Sequence, residues 1–166
     1  ESLVDIITGT MSKSIGVIGG FCVSDVPALR ALRLMARAYL FTASLPPAIV
    51  ASAREALRIV ETEPALRDRL WSNARRFHSG LAEIGLELCA PPAPIGSIRM
   101  PDIPAGRAFW NSLLERGILT NLMIPPATPN GEVLLRFSVS AAHESEHIDQ
   151  ALEIFAESFQ EAKAAF

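Results

Sequence analysis

The stretch Asp5-Ile-Ile-Thr-Gly-Thr-Met-Ser-Lys-Ser-Ile-Gly-Val-Ile-Gly-Gly-Phe places one lysine, Lys13, in a turn of small polar residues between two apolar runs, Leu3 to Ile7 and Phe21 to Val23. Thr10, Ser12 and Ser14 surround it with hydroxyls, and the backbone of residues 10–14 adds N–H donors. Donors clustered in this way suit a phosphate. Gly16, Gly19 and Gly20 permit close approaches that side chains forbid. Two chemistries are open to such a lysine: a point charge against the phosphate, or a Schiff base with an aldehyde. The point charge belongs to the pattern G-x-x-x-x-G-K-[ST]. Lys13-Ser14 fits its end, but Ile7 and Ser12 stand where both glycines belong, so that reading is rejected. A solvated lysine in a Gly/Ser loop is the alternative to the Schiff base.

Arg136 is the second residue of chemical interest, mid-strand among Leu134, Leu135, Phe137 and Val139. A half-buried guanidinium there requires a planar anion such as a carboxylate. Strand parity puts Leu134 and Ser138 on its side, so an internal ion pair or an outward face stays open. His143-Glu-Ser-Glu-His147 satisfies the zinc pattern H-E-x-x-H. Glu144 and Glu146 read instead as first-turn acids of a helix. His143 then precedes that helix and no strong third ligand is evident, so no metal is expected. His78 reads as a partly buried structural histidine. Cys22 and Cys89 match no metal or redox spacing and read as buried small hydrophobes, which suits a reducing cytoplasm.

The elements that must position these residues follow in order. A helix is expected from Pro27 to Leu40, with Arg30, Arg33 and Arg37 on its polar side and Ser24 or Asp25 as its cap. Pro46-Pro47 opens a second, Ala-rich helix to about Glu61, and the hydroxyls of Thr42 and Ser44 precede it, where an ST turn would also use them. Glu63-Pro64 marks a border. Beyond it come a long helix, Ala65 to Ile84, a short strand, Leu86 to Ala90, and a strand, Ile95 to Met100. A helix, Ala105 to Arg116, and strands Ile118 to Met123 and Glu132 to Ser140 follow, then a last helix, Glu144 to Ala162. That order predicts a small α+β domain with a mainly antiparallel sheet after a tail of α/β structure. Leu3 to Ile7 reads as a buried strand of a parallel sheet, which needs neighbours on both sides. The chain is therefore expected to be the C-terminal part of a longer protein.

Composition narrows the classes. The 166 residues carry a net charge of −3 and a hydrophobic fraction of 49%. That charge gives no electrostatic case for nucleic acid or an anionic membrane. No apolar run reaches the ~20 residues of a membrane-spanning helix, and Glu1-Ser-Leu-Val-Asp lacks a basic leader. The expectation is a cytoplasmic protein.

Gly9-Thr-Met-Ser-Lys-Ser-Ile-Gly16 followed by Gly19-Gly20 resembles the pyridoxal-phosphate lysine segment of the α-oxoamine synthases. Phe41-Thr-Ala-Ser-Leu-Pro-Pro47 is similar to that family's second signature, and Pro125-Pro-Ala-Thr-Pro129 to the loop before its substrate arginine. The resemblance covers nearly the whole chain and is strongest toward the serine palmitoyltransferase branch. It implies a fold-type-I α/β transferase: residues 1–62 ending the large cofactor domain and 63–166 forming the small α+β C-terminal domain. It implies pyridoxal 5'-phosphate as cofactor, with Lys13 as the cofactor lysine and base, and Thr10 and Ser12 beside it. Ser44, or Thr42, would reach the cofactor phosphate of the partner subunit in a homodimer. Arg136 would bind the amino-acid carboxylate. The implied reaction is decarboxylative condensation of an amino acid, L-serine in that branch, with an acyl thioester on coenzyme A or a carrier protein. The branch can carry an arginine just before Pro125, where this chain has Ile124. The 8-amino-7-oxononanoate and 5-aminolevulinate synthases, a polyketide-pathway relative and a non-catalytic dimerisation module are the alternatives.

Overall fold

A computed structural model describes residues 3–164, except for the side chains of Arg33 and Ala164. The chain divides into two compact units, the first ending at Pro64 and the second beginning at Ala65.

In the first unit, β1 (Ile7–Thr10) pairs antiparallel with β2 (Gly20–Val23). The expected strand thus lies later in the sequence and belongs to a hairpin. Neither strand is buried: Ile7, Phe21 and Val23 are all exposed. Glycine explains the pairing. Gly9 faces Phe21 in register, and a Cβ on Gly9 would lie 2.5 Å from the Phe21 ring. A Cβ on Gly20 would lie 2.8 Å from the Gly9 carbonyl oxygen. The bare backbone lets the aromatic ring lie across the partner strand.

Helix α1 (Leu29–Met35) is shorter than its apolar stripe predicts. Leu34 and Met35 are 79% and 74% exposed, so no packing extends it. A helix this short gains little from its own hydrogen bonds. Ser24 caps no helix; its hydroxyl donates to the Asp5 carbonyl and accepts from Val26 N–H. Arg33, assigned to the polar side, has a side chain outside the described residues. Helix α2 (Pro47–Thr62) starts at Pro47, whose missing N–H costs nothing at a first turn.

The second unit carries the core. Helix α3 (Pro64–Ile84) ends at Gly85, whose φ of +90° suits glycine. Strand β3 (Ile95–Met100), helix α4 (Ile103–Glu115), strand β4 (Asn121–Met123), strand β5 (Val133–Ser138) and helix α5 (Ser145–Ala164) follow. Asp102 caps α4 by accepting from Ala105 N–H. The expected strand at 86–90 reduces to a bridge between Leu88 and Ile98. The sheet is antiparallel in the order β3-β5-β4, with β5 in the middle.

Alternation along β5 decides the architecture. Val133, Leu135 and Phe137 point into the core, and Arg136 and Ser138 point out. Phe77 of α3 meets Phe137 and Phe155 edge to face at 5.2 and 5.4 Å, and Phe109 of α4 meets Phe155 at 5.8 Å. Such pairs add to the burial of their area. The buried Asn73 amide donates to the carbonyls of Ser140 and His143, tying α3 to the start of α5.

Candidate active site

Residues 11–19 form the loop of the first hairpin, and Lys13 sits on it. The loop is closed by its own backbone: Met11 N–H donates to Gly19 O at 2.9 Å, Val17 N–H to Met11 O at 3.0 Å, and Gly16 N–H to Lys13 O at 2.9 Å. Gly16 and Gly19 take φ of +72° and +107°, which this closure demands and L side chains resist. The Lys13 side chain is exposed and pairs with no carboxylate among the described residues. Thr10 and Ser12 lie side by side, their hydroxyls 2.8 Å apart, and Ser12 N–H donates to Thr10 Oγ1. The loop therefore presents a primary amine beside two hydroxyls. That donor set fits an aldehyde that also bears a phosphate.

Thr42 and Ser44 are exposed and line a cleft of about 1410 Å³ within the first unit. Gly19, Gly20, Cys22, Arg30 and Tyr39 share the lining. Thr42 donates to the Tyr39 carbonyl at 2.8 Å, the local turn that its sequence also allowed. Ser44 has no protein partner of that kind among the described residues. Lys13, Thr10 and Ser12 do not line this cleft. Cys22 and Cys89 are both exposed, contrary to their expected burial.

Arg136 lies on the open face of the second unit's sheet. It is exposed, which corrects the half-buried placement expected of it; parity puts it opposite Leu135 and Phe137. Ser97 of β3 and Asn121 of β4 flank it in register. Nη2 of Arg136 donates to Asn121 Oδ1 at 3.4 Å, and no carboxylate pairs with Arg136 among the described residues. On the same face, Arg99 pairs with Glu87 at 2.7 Å and also with Glu132. Those hydrogen bonds, Glu132's foremost, push the Arg99 guanidinium above its ordinary value. Sequence reading missed Asn121 as a neighbour of Arg136, since only the register of β4 on β5 brings the two together.

The histidines are held locally. His143 Nδ1 accepts from Ser140 N–H and His147 Nδ1 from Glu144 N–H. Helix α5 starts at Ser145, so His143 is outside it and the two rings do not share a helical turn. His78, half-buried, contacts the Ala90 carbonyl through Nε2 at 2.9 Å.

Comparison with known proteins gives the family. The chain belongs to the family described as aminotransferase class I and II, whose profile matches residues 1–155. It is 50% identical over 157 residues to a serine palmitoyltransferase of Caulobacter vibrioides, covering 95% of this chain and 39% of that protein. It is 38% identical over 153 residues to a 2-amino-3-ketobutyrate coenzyme A ligase of Escherichia coli, covering 92% of this chain and 38% of that protein. A solved serine palmitoyltransferase structure with pyridoxal phosphate matches with a TM-score of 0.94 and 40% identity, covering 98% of this chain and 42% of that one. The chain thus spans about two-fifths of the length of the curated relatives it matches. Its fold is that of the matching part of a fold-type-I pyridoxal-phosphate enzyme.

Proposed function

We propose that this chain supplies the C-terminal part of a serine palmitoyltransferase-like α-oxoamine synthase. Such an enzyme joins an amino acid, L-serine first among candidates, to an acyl thioester of coenzyme A or a carrier protein with loss of carbon dioxide. The observation that carries the reading is the exposed Lys13 amine, without a carboxylate partner among the described residues, on a glycine-closed loop beside the Thr10 and Ser12 hydroxyls. The 50% identity to the Caulobacter vibrioides serine palmitoyltransferase supports that branch.

Lys13 would hold pyridoxal phosphate through its aldehyde, and Thr10 and Ser12 would hold the phosphate side. Thr42 and Ser44 would reach the phosphate held by the partner subunit of a homodimer. When bound, the cofactor supplies an electron sink for charge developing at the amino acid's α-carbon. The Lys13 amine would also serve as the base that takes the α-proton and later returns one. Arg136 holds the carboxylate through its planar fork until that group leaves as carbon dioxide. We place the enzyme in the cytoplasm; no described helix is long and apolar enough to cross a membrane.

A second reading, another α-oxoamine synthase, is favoured by the 38% identity to the Escherichia coli 2-amino-3-ketobutyrate coenzyme A ligase. One experiment addresses both. The full-length polypeptide carrying this chain is loaded with pyridoxal phosphate, reduced with borohydride and peptide-mapped. The label is expected on Lys13, and the visible absorption band is expected to vanish in Lys13→Ala. A label on Lys163, or none, overturns the assignment. Titration with L-serine, glycine and L-alanine then ranks the amino acids.

A further inference from the structure

Arg136 and Arg99 share one face of one sheet yet are treated differently. Arg99 is held by two carboxylates, Glu87 and Glu132. Arg136 has an amide neighbour and no carboxylate among the described residues. The pairing register puts Asn121 directly beside Arg136 on β4 and Ser97 directly beside it on β3. Asn121 Oδ1 accepts from Nη2 at 3.4 Å, which occupies one of five guanidinium N–H groups. The other four stay available, and the positive charge is not cancelled. An exposed arginine otherwise samples many rotamers, and binding a carboxylate must stop that motion. A neutral acceptor at the adjacent register position restrains the plane of the fork without competing for its charge.

We propose that Asn121 is a positioning residue that orients Arg136 for capture of the amino-acid carboxylate. The inference rests on the carboxylate role given to Arg136 above. Aspartate at this position would pair with Arg136 as a carboxylate and compete with the substrate. Alanine would leave the charge but free the fork.

The test uses the full-length enzyme loaded with pyridoxal phosphate and titrated with its best amino acid. Asn121→Ala is expected to weaken amino-acid binding by about 3- to 10-fold, the range of one modest hydrogen bond. The change should fall on the KM for the amino acid rather than on kcat or the KM for the acyl thioester. Asn121→Asp should weaken binding further than Asn121→Ala. In an Arg136→Ala background, Asn121→Ala should add nothing, because its effect passes through the guanidinium. If Asn121→Ala binds as the parent does, or if the two changes are additive, the positioning role is overturned while Arg136 keeps its own. If Arg136→Ala leaves amino-acid binding unchanged, the carboxylate role fails and the role of Asn121 fails with it.

Discussion

Arg136 and Lys13 differ in how much of their setting a sequence can convey. Lys13 lies in a contiguous pattern of glycines and hydroxyls, and the structure closes that same stretch into a loop through its own backbone. Arg136 depends on partners 15 and 39 residues away in the chain, Asn121 and Ser97, which only sheet register brings beside it. Parity of β5 left an outward face open for it without deciding it, and its neighbours were not legible at all. The fork is what a carboxylate would use, so Arg136→Lys should not rescue binding although it keeps the charge. A charge-assisted pair contributes about 1.5–3 kcal/mol, so amino-acid binding should weaken by about 10- to 150-fold. Cofactor loading, which the proposal assigns to Lys13, should stay near parental. Equal affinity of parent and Arg136→Lys in a spectroscopic titration would make Arg136 a structural residue.

At the scale of elements, periodicity located α2, α3 and β3 within one or two residues, because each has a strong pattern and clear punctuation. It overran α1, where the apolar stripe continues but nothing packs on it. It also missed the hairpin, because runs rich in β-branched residues do not announce their pairing partner. The contact between α4 and α5 yields two predictions. Phe109 is fully buried against Phe155, so Phe109→Ala should destabilise the second unit by about 3–5 kcal/mol in urea unfolding. On the surface of that contact, hydrogen bonds from Arg116 and then from Ser112 hold the Glu161 carboxyl below its ordinary value of 4.5. A carboxylate with a lowered folded pKa stabilises the fold above its unfolded value. That contribution is lost as pH falls through the folded value. Glu161→Gln should therefore be less stable than the parent at neutral pH, and the two should converge in acid. Unfolding curves at several pH values check this. A gap that persists or widens at low pH would contradict it.

The two units, each taken by itself, are unequal as folding entities. The buried aromatic and aliphatic cluster from Phe77 to Ala162 lies wholly in the second, whereas Ala53 is the only buried hydrophobic among the described residues of the first. Leu34, Met35, Tyr39 and Phe41 of the first are exposed. Residues 65–166 expressed alone should unfold cooperatively, and residues 1–64 alone should show no cooperative transition. Trp71 and Trp110 both belong to the second unit, so selectively excited tryptophan fluorescence of the intact chain reports on that unit. A sharp calorimetric transition from residues 1–64 would refute the contrast. The alternation of β5 also bears on how such an enzyme can diverge. Its inward row builds the core, and its outward row carries Arg136, the residue proposed to meet the substrate. Replacing Arg136 or Ser138 leaves the core untouched, so on the proposed reading the preferred substrate can drift through point changes there. Gaining or losing one residue within the strand is another matter. It would turn Phe137 toward the solvent side and Arg136 toward the aromatic cluster in a single step. Descendants of this sequence should therefore vary in the letters of β5 and hold its length constant.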